Sequence, residues 1–198
     1  AWQGGTSPVR LGLAGVIVSS VFGSVQTGLF LLLEDVGVIQ SVVAWTTGSL
    51  VGADWARVRM ILPWTVLAVG AALLGSRQLN VLTLGERTAS SLGMSVEHVR
   101  FGLSGVAVLA AAASVAAAGI VGFVGLVVPH IVRRLVGVDH RRLLIGCAFA
   151  GPALLTAADA GARLALNPAQ IPVGIVTGLV GGPYFLYLMR KHREFGGI

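Results

Sequence analysis

The sequence predicts an all-α, polytopic integral membrane bundle in which long helices alternate with short or broken ones. Three observations carry that expectation. Hydrophobic residues make up 55% of the chain and charged residues 11%, whereas a soluble domain carries about 25% charge, and mean hydropathy is +0.86. Uncharged runs long enough to cross roughly 30 Å of hydrocarbon recur along the chain. Alternating barrel strands are missing, and unpaired backbone is too costly in lipid for irregular structure to span it.

Taken in order, residues 11–33 form the first apolar run, between Arg10 and Glu34. A full crossing by residues 36–53 would move every later arginine cluster to the other side, so they read as a half-helix or interfacial helix on the outer face, with Trp45 and Trp55 near the headgroups. Residues 60–76 make the next span, between Arg59 and Arg77. Residues 101–129 are too many for one span and too few for two; a turn near residues 119–125 predicts one full helix and then a shorter one that Pro129 ends or kinks. Residues 143–162 and 164–189 complete the set, the last running into Arg190, Lys191, His192 and Arg193. Broken helices at membrane depth are tolerated where they are buried or line a cavity, which points to transport. Small residues at Gly15, Ser19 and Gly23, and at Ser104 and Gly105, suit close helix packing.

Charge sets the orientation. Of the 14 basic residues only Lys191 is not Arg, and the arginines cluster at residues 77–100, 133–142 and 190–193, between apolar runs. Such clusters stay on the cytoplasmic side; they do not form a nucleic-acid face. Glu34 and Asp35 then fall outside, and Arg57 and Arg59 are a minor breach of the rule. The lone Cys147 makes neither a disulfide framework nor a thiolate metal site. His130, Asp139 and His140 lack a third ligand at helical spacing, and Arg133, Arg134, Arg141 and Arg142 would repel a cation, so no metal or other cofactor is expected. Without a phosphate-binding loop ahead of its lysine, the chain is expected to hydrolyse no nucleotide and to hold no catalytic residue. It begins at Ala1 rather than Met, which reads as a fragment or a processed product.

Two polar segments bear on function. Residues 76–100 form the longest polar interruption, with two short helices expected on either side of Gly85; Leu84, Ala89 and Leu92 offer an apolar face beside Glu86 and Arg87. That pattern suits a partner-docking element as well as a solvated loop. Asp159 and Arg163 are four apart, so they can pair on one helix face near the outer end. A charge inside a membrane marks a functional candidate, although Arg163 could equally reach for the headgroups. A secondary transporter would need an ion-coupling acid, for which Asp159 is the candidate, and a membrane enzyme would need converging histidines and acids.

The run Gly122-Phe-Val-Gly-Leu-Val-Val-Pro-His-Ile-Val-Arg-Arg, with Asp139-His-Arg-Arg-Leu-Leu after it, resembles the permeases of the FecCD family. So do Gly48-Ser49-Leu50 with Trp55, Leu82-Thr83-Leu84-Gly85-Glu86 with Leu92-Gly93, Asp159 with Arg163, Ile171-Pro172-Val173-Gly174 and Gly182-Pro183-Tyr184-Phe185. The resemblance implies part of a ten-helix membrane subunit of an ABC importer for ferric siderophores, haem or cobalamin, incomplete at its N-terminus, in the bacterial cytoplasmic (inner) membrane. It implies a cytoplasmic ABC ATPase subunit, a periplasmic or lipid-anchored substrate-binding protein, and a second permease, identical or paralogous, as partners. By resemblance, Leu82, Leu84, Gly85, Glu86, Arg87, Ala89, Leu92 and Gly93 form the coupling helices that sit in the ATPase, within a single domain spanning the chain. Arg163, with Asp159, resembles the group that meets an acid of the binding protein, and Ser19, Ser20, Gly23, Gln26 and Thr27 resemble the lining of the central pathway. Ile145, where the family often has Pro, and Gln170, where it often has Glu, depart from the pattern.

Overall fold

The computed structural model describes residues 8–32, 34–165 and 171–195. Among them the chain is helical: α1 (Pro8–Phe30), α2 (Val36–Thr47), α3 (Trp55–Leu74), α4 (Ser76–Leu82), α5 (Glu86–Ser91), α6 (Val96–Ala118), α7 (Val124–Val136), α8 (His140–Ala165) and α9 (Val173–Phe195). Four stretches of the described residues are long and apolar enough to cross a membrane: Gly12–Phe30, Trp55–Leu74, Val96–Ala118 and His140–Leu164. Residues 1–43 form one compact unit and residues 44–198 another. Apolar side chains cover the helix exteriors, Phe22 at 71%, Phe101 at 77% and Phe149 at 76% exposed. A surface of that kind suits lipid and neighbouring helices better than water.

In the first unit α1 starts at Pro8, a residue suited to a first helical turn. The start of α2 is held by Asp35, whose Oδ1 accepts from the backbone N–H groups of Gly37 (2.7 Å) and Val38 (3.4 Å). With 12 residues α2 rises only ~18 Å, too short to cross, as a half-helix or an interfacial helix would be.

The second unit departs from the expected boundaries for local reasons. Helix α3 begins at Trp55 rather than 60 because Asp54 caps it, accepting from the Arg57 N–H at 2.8 Å. Its far end lies against the start of α6, where a Cβ on Gly75 would come within 2.6 Å of Leu103 Cδ2. Of the two expectations for Pro129, that it ends α7 is not met: the helix runs through it to Val136. Val124, Val128, Val132 and Val136 recur every fourth residue and pack with Leu143, Cys147 and Ala150 of α8; that burial outweighs one lost backbone bond. Helix α9 begins at Val173 rather than 164. Pro172 disfavours helical geometry at Ile171; residues 166–170, with Asn167, Pro168 and Gln170, lie outside the described residues.

Helix α8 carries Arg141 and Arg142 in its first turn, against the helix dipole. Caps compensate. Asp139 Oδ1 accepts from the N–H groups of Arg141 (2.7 Å) and Arg142 (3.3 Å), and Asn80 Oδ1, 60 residues away in α4, accepts from the His140 N–H at 2.9 Å. The backbone bonds from Arg142 and then Arg141 hold the Asp139 carboxyl below its ordinary pKa. Its contribution to stability is therefore present above the unfolded carboxylate pKa and fades as pH falls through the lower folded one.

Three interrupted helix ends meet at a backbone junction. The Ile120 N–H donates to Trp45 O (3.0 Å), the Ser49 N–H to Ala118 O (2.8 Å) and the Gly174 N–H to Gly48 O (3.1 Å). The ends of α2 and α6 and the start of α9 thus satisfy one another where helical bonds run out. Approach this close excludes side chains: a Cβ on Gly174 would sit 1.9 Å from Thr47 O, and one on Gly119 2.3 Å from Trp45 O. Next to the junction Phe123 takes a left-handed conformation (φ 65°) and starts α7, its ring against Gly181 of α9.

Gly174→Ala should therefore lower thermal stability in detergent or lipid by about 1–3 kcal/mol. Gly178→Ala, one turn on in α9 with open space around its Cα, should be neutral or slightly stabilising. Equal melting temperatures for the two variants would contradict the junction.

Candidate functional site

The polar element at residues 76–100 folds as the sequence predicts, as two short helices on either side of Gly85 (φ 99°). Ala89 is 0% exposed, while Leu84 is 61% and Leu92 66% exposed. The apolar face therefore differs from the expected one: Ala89 turns inward and anchors α5, leaving the two leucines to project from the surface. Glu86 and Arg87 lie exposed beside them. Glu86 forms an ion pair with Arg100 at the start of α6, and Leu82 is half-buried. Gly93 ends the element with a positive φ of 84°.

This element shares one end of its unit with the start of α8, through the Asn80 to His140 bonds. The arginines at 77–100 and 133–142 are thereby gathered at that end. His130 Nε2 faces the Arg134 guanidinium at 3.0 Å, a poor place for a cation. No group of three His, Cys, Asp or Glu able to hold a metal occurs among the described residues.

At the other end of α8, Arg163 Nε donates to Asp159 Oδ2 at 2.7 Å. The Arg163 side chain is 49% exposed and that of Asp159 17%. The acid is thus the inner member of the pair and the guanidinium the outer. A cation in the last turn of α8 also agrees with the helix dipole.

On α1, Ser19, Ser20, Gly23, Gln26 and Thr27 fall on one helical face; Gln26 is half-buried and the others are exposed. The hydroxyls of Ser20, Ser24 and Thr27 each donate to the carbonyl one turn back, at Val16, Ser20 and Gly23, all at 2.9 Å. Between α7, α8 and α9 lies an apolar cavity of about 340 Å³, lined among others by Phe123, Val127, Leu154, Val180 and Tyr184. Sequence reasoning missed the Asn80 to His140 contact. Asp139 ahead of an apolar run is a readable cap signal, but a cap supplied from 60 residues away leaves no local trace.

Comparison with known proteins adds to this geometry. The chain is 41% identical over 191 residues to the iron(3+)-hydroxamate import system permease protein FhuG of Bacillus subtilis, covering 96% of this chain and 56% of that protein. It is 40% identical over 189 residues to the hemin transport system permease protein HmuU of Yersinia pestis (93% and 55%). It is 42% identical over 191 residues to the cobalamin import system permease protein BtuC of Halobacterium salinarum (96% and 51%). The chain thus spans about half the length of these relatives. A solved structure of a metal-chelate type ABC transporter in an inward-facing conformation superposes with a TM-score of 0.86 at 31% identity, over 93% of this chain and 60% of that one. Residues 1–191 match the model of the FecCD transport family, and the chain belongs to that family.

Proposed function

We propose that this chain is the C-terminal portion of a membrane permease subunit of an ABC importer, moving an iron chelate, haem or cobalamin into the cytoplasm across the bacterial inner membrane. A separate ATPase subunit supplies the energy. The observation that carries this reading is the pair of uncovered leucines, Leu84 and Leu92, on a short-helix element at the arginine-rich end. Together at a polar helix pair they offer an apolar surface that a partner would bury. Leu82, Gly85, Glu86, Arg87, Ala89 and Gly93 shape and flank that surface. ATP-driven closure of the partner would push on it, and tilting helices would alternate the access of a pathway between two permease subunits. Ser19, Ser20, Gly23, Gln26 and Thr27 of α1 would line the pathway.

Arg163, oriented by Asp159, is the docking group for an acidic side chain of the substrate-binding protein. The same ion pair speaks against a secondary transporter, because Asp159 already has a cation on its own helix. The relatives named for hydroxamate, hemin and cobalamin import have nearly equal identities, 41%, 40% and 42%. They support the class of bulky chelates and tetrapyrroles without selecting among them.

Three outcomes test this reading. Glu86→Arg combined with Leu84→Asp should reduce substrate-stimulated ATP hydrolysis of the assembled transporter to the basal rate while membrane insertion is retained; normal stimulation would refute the assignment. Arg163→Glu should raise the dissociation constant for the binding protein about tenfold, ~1.4 kcal/mol, with a difference that shrinks as salt rises; an unchanged constant would count against docking there. A cysteine placed at Leu84 should react with an impermeant maleimide only from the cytoplasmic side, and reaction solely from outside would overturn the orientation.

A further inference from the structure

We propose that Asn80 is a positioning residue that ties the 76–93 element to α8, so that a push on the element travels along α8 to the Asp159–Arg163 end. This rests on the reading of that element as the ATPase contact. The geometry is specific. Asn80 Oδ1 accepts two bonds from a single residue, from the His140 backbone N–H at 2.9 Å and from its ring Nδ1 at 2.8 Å. Asn80 and His140 are both half-buried, so the contact is partly screened from competing water. The Glu86–Arg100 pair, which ties the same element to α6, has a Glu86 side chain 62% exposed; ion pairs that open to solvent are weak. The tether to α8 is therefore the stiffer of these two.

Helix α8 is suited to carry the displacement. It runs without interruption from His140 to Ala165, so ~35 Å separates the Asn80 contact from Arg163. Its first turn is tied to α4, because the His140 N–H that Asn80 takes up has no carbonyl partner within the helix. Its first half is braced by α7, with Gly146 letting Val132 approach so closely that a Cβ there would come within 2.5 Å of Val132 Cγ1. Pro152 is a soft point beyond that brace. One continuous element thus connects the surface assigned to the motor with the surface assigned to the binding protein.

The experiment uses the complete transporter in lipid vesicles, with ATPase subunit and binding protein, and compares Asn80→Leu, which keeps the size but removes the acceptor, with Asn80→Asp, which keeps an acceptor. Two readouts are taken: affinity for the ATPase subunit, and stimulation of ATP hydrolysis by substrate-loaded binding protein. Asn80→Leu should hold the ATPase with unchanged affinity and lose stimulation by at least about fivefold, the low end of ordinary coupling between sites; Asn80→Asp should retain most of it. Full stimulation in Asn80→Leu overturns the inference. Should that variant fail to assemble, Asn80→Cys with His140→Cys, in a Cys147→Ala chain, is bridged by a short bis-maleimide. Coupled transport that survives bridging supports a single moving body, and loss on bridging shows that the element must part from α8, which overturns it. Leu84→Asp separates the two levels. If it leaves ATPase binding normal, the underlying reading falls and the inference with it; if it abolishes binding while Asn80→Leu couples normally, the inference alone falls.

Discussion

Everything in the larger unit depends on where the backbone finds hydrogen bonds when its helices stop. Away from water, an interrupted helix end has to find its partners in protein. The junction of residues 45–49, 118–120 and 174 meets that demand by exchange: each broken end supplies a donor or an acceptor that another lacks. Glycine is what brings the strands of backbone close enough, since at Gly119 and Gly174 a methyl group would overlap a carbonyl oxygen. The short α2 and α7 can exist because this meeting point exists. Phe123, in its left-handed conformation, then redirects the chain into α7 against α9.

At the arginine-rich end the same demand is met by side chains. Asp139 and Asn80 between them take up the N–H groups of His140, Arg141 and Arg142, which lets a helix begin with two adjacent cations on its positive end. The two ends of the unit thus differ in kind. One is closed by main-chain exchange with almost no room for substitution, the other by polar side chains that can be exchanged or titrated.

Much of this was legible in the chain itself. Apolar run length and charge placement gave the long helices and the short α2, because the cost of burying charge in lipid acts on sequence directly. Boundaries were less legible where a single side chain sets them. Asp54 moves the start of α3 to Trp55, and Pro172 holds back that of α9. Pro129 does not end α7 because the helix-breaking tendency is local, whereas the valine ridge beside it is packed on α8, out of sight of any local rule. At the candidate site, the break at Gly85 and the Asp159–Arg163 pair follow from spacing. The inward turn of Ala89 and the Asn80 contact follow from tertiary packing, which spacing does not encode.

The hydroxyls of α1 carry one more consequence. Ser20, Ser24 and Thr27 direct their hydrogens to the carbonyls of their own helix, so the face they share is polar in composition yet makes few demands on whatever touches it. Bonds of this type slightly bend a helix, and they leave its surface slippery: rotation or sliding against a changing neighbour breaks none of them. Whatever packs against such a face meets oxygen atoms whose hydrogens are already committed.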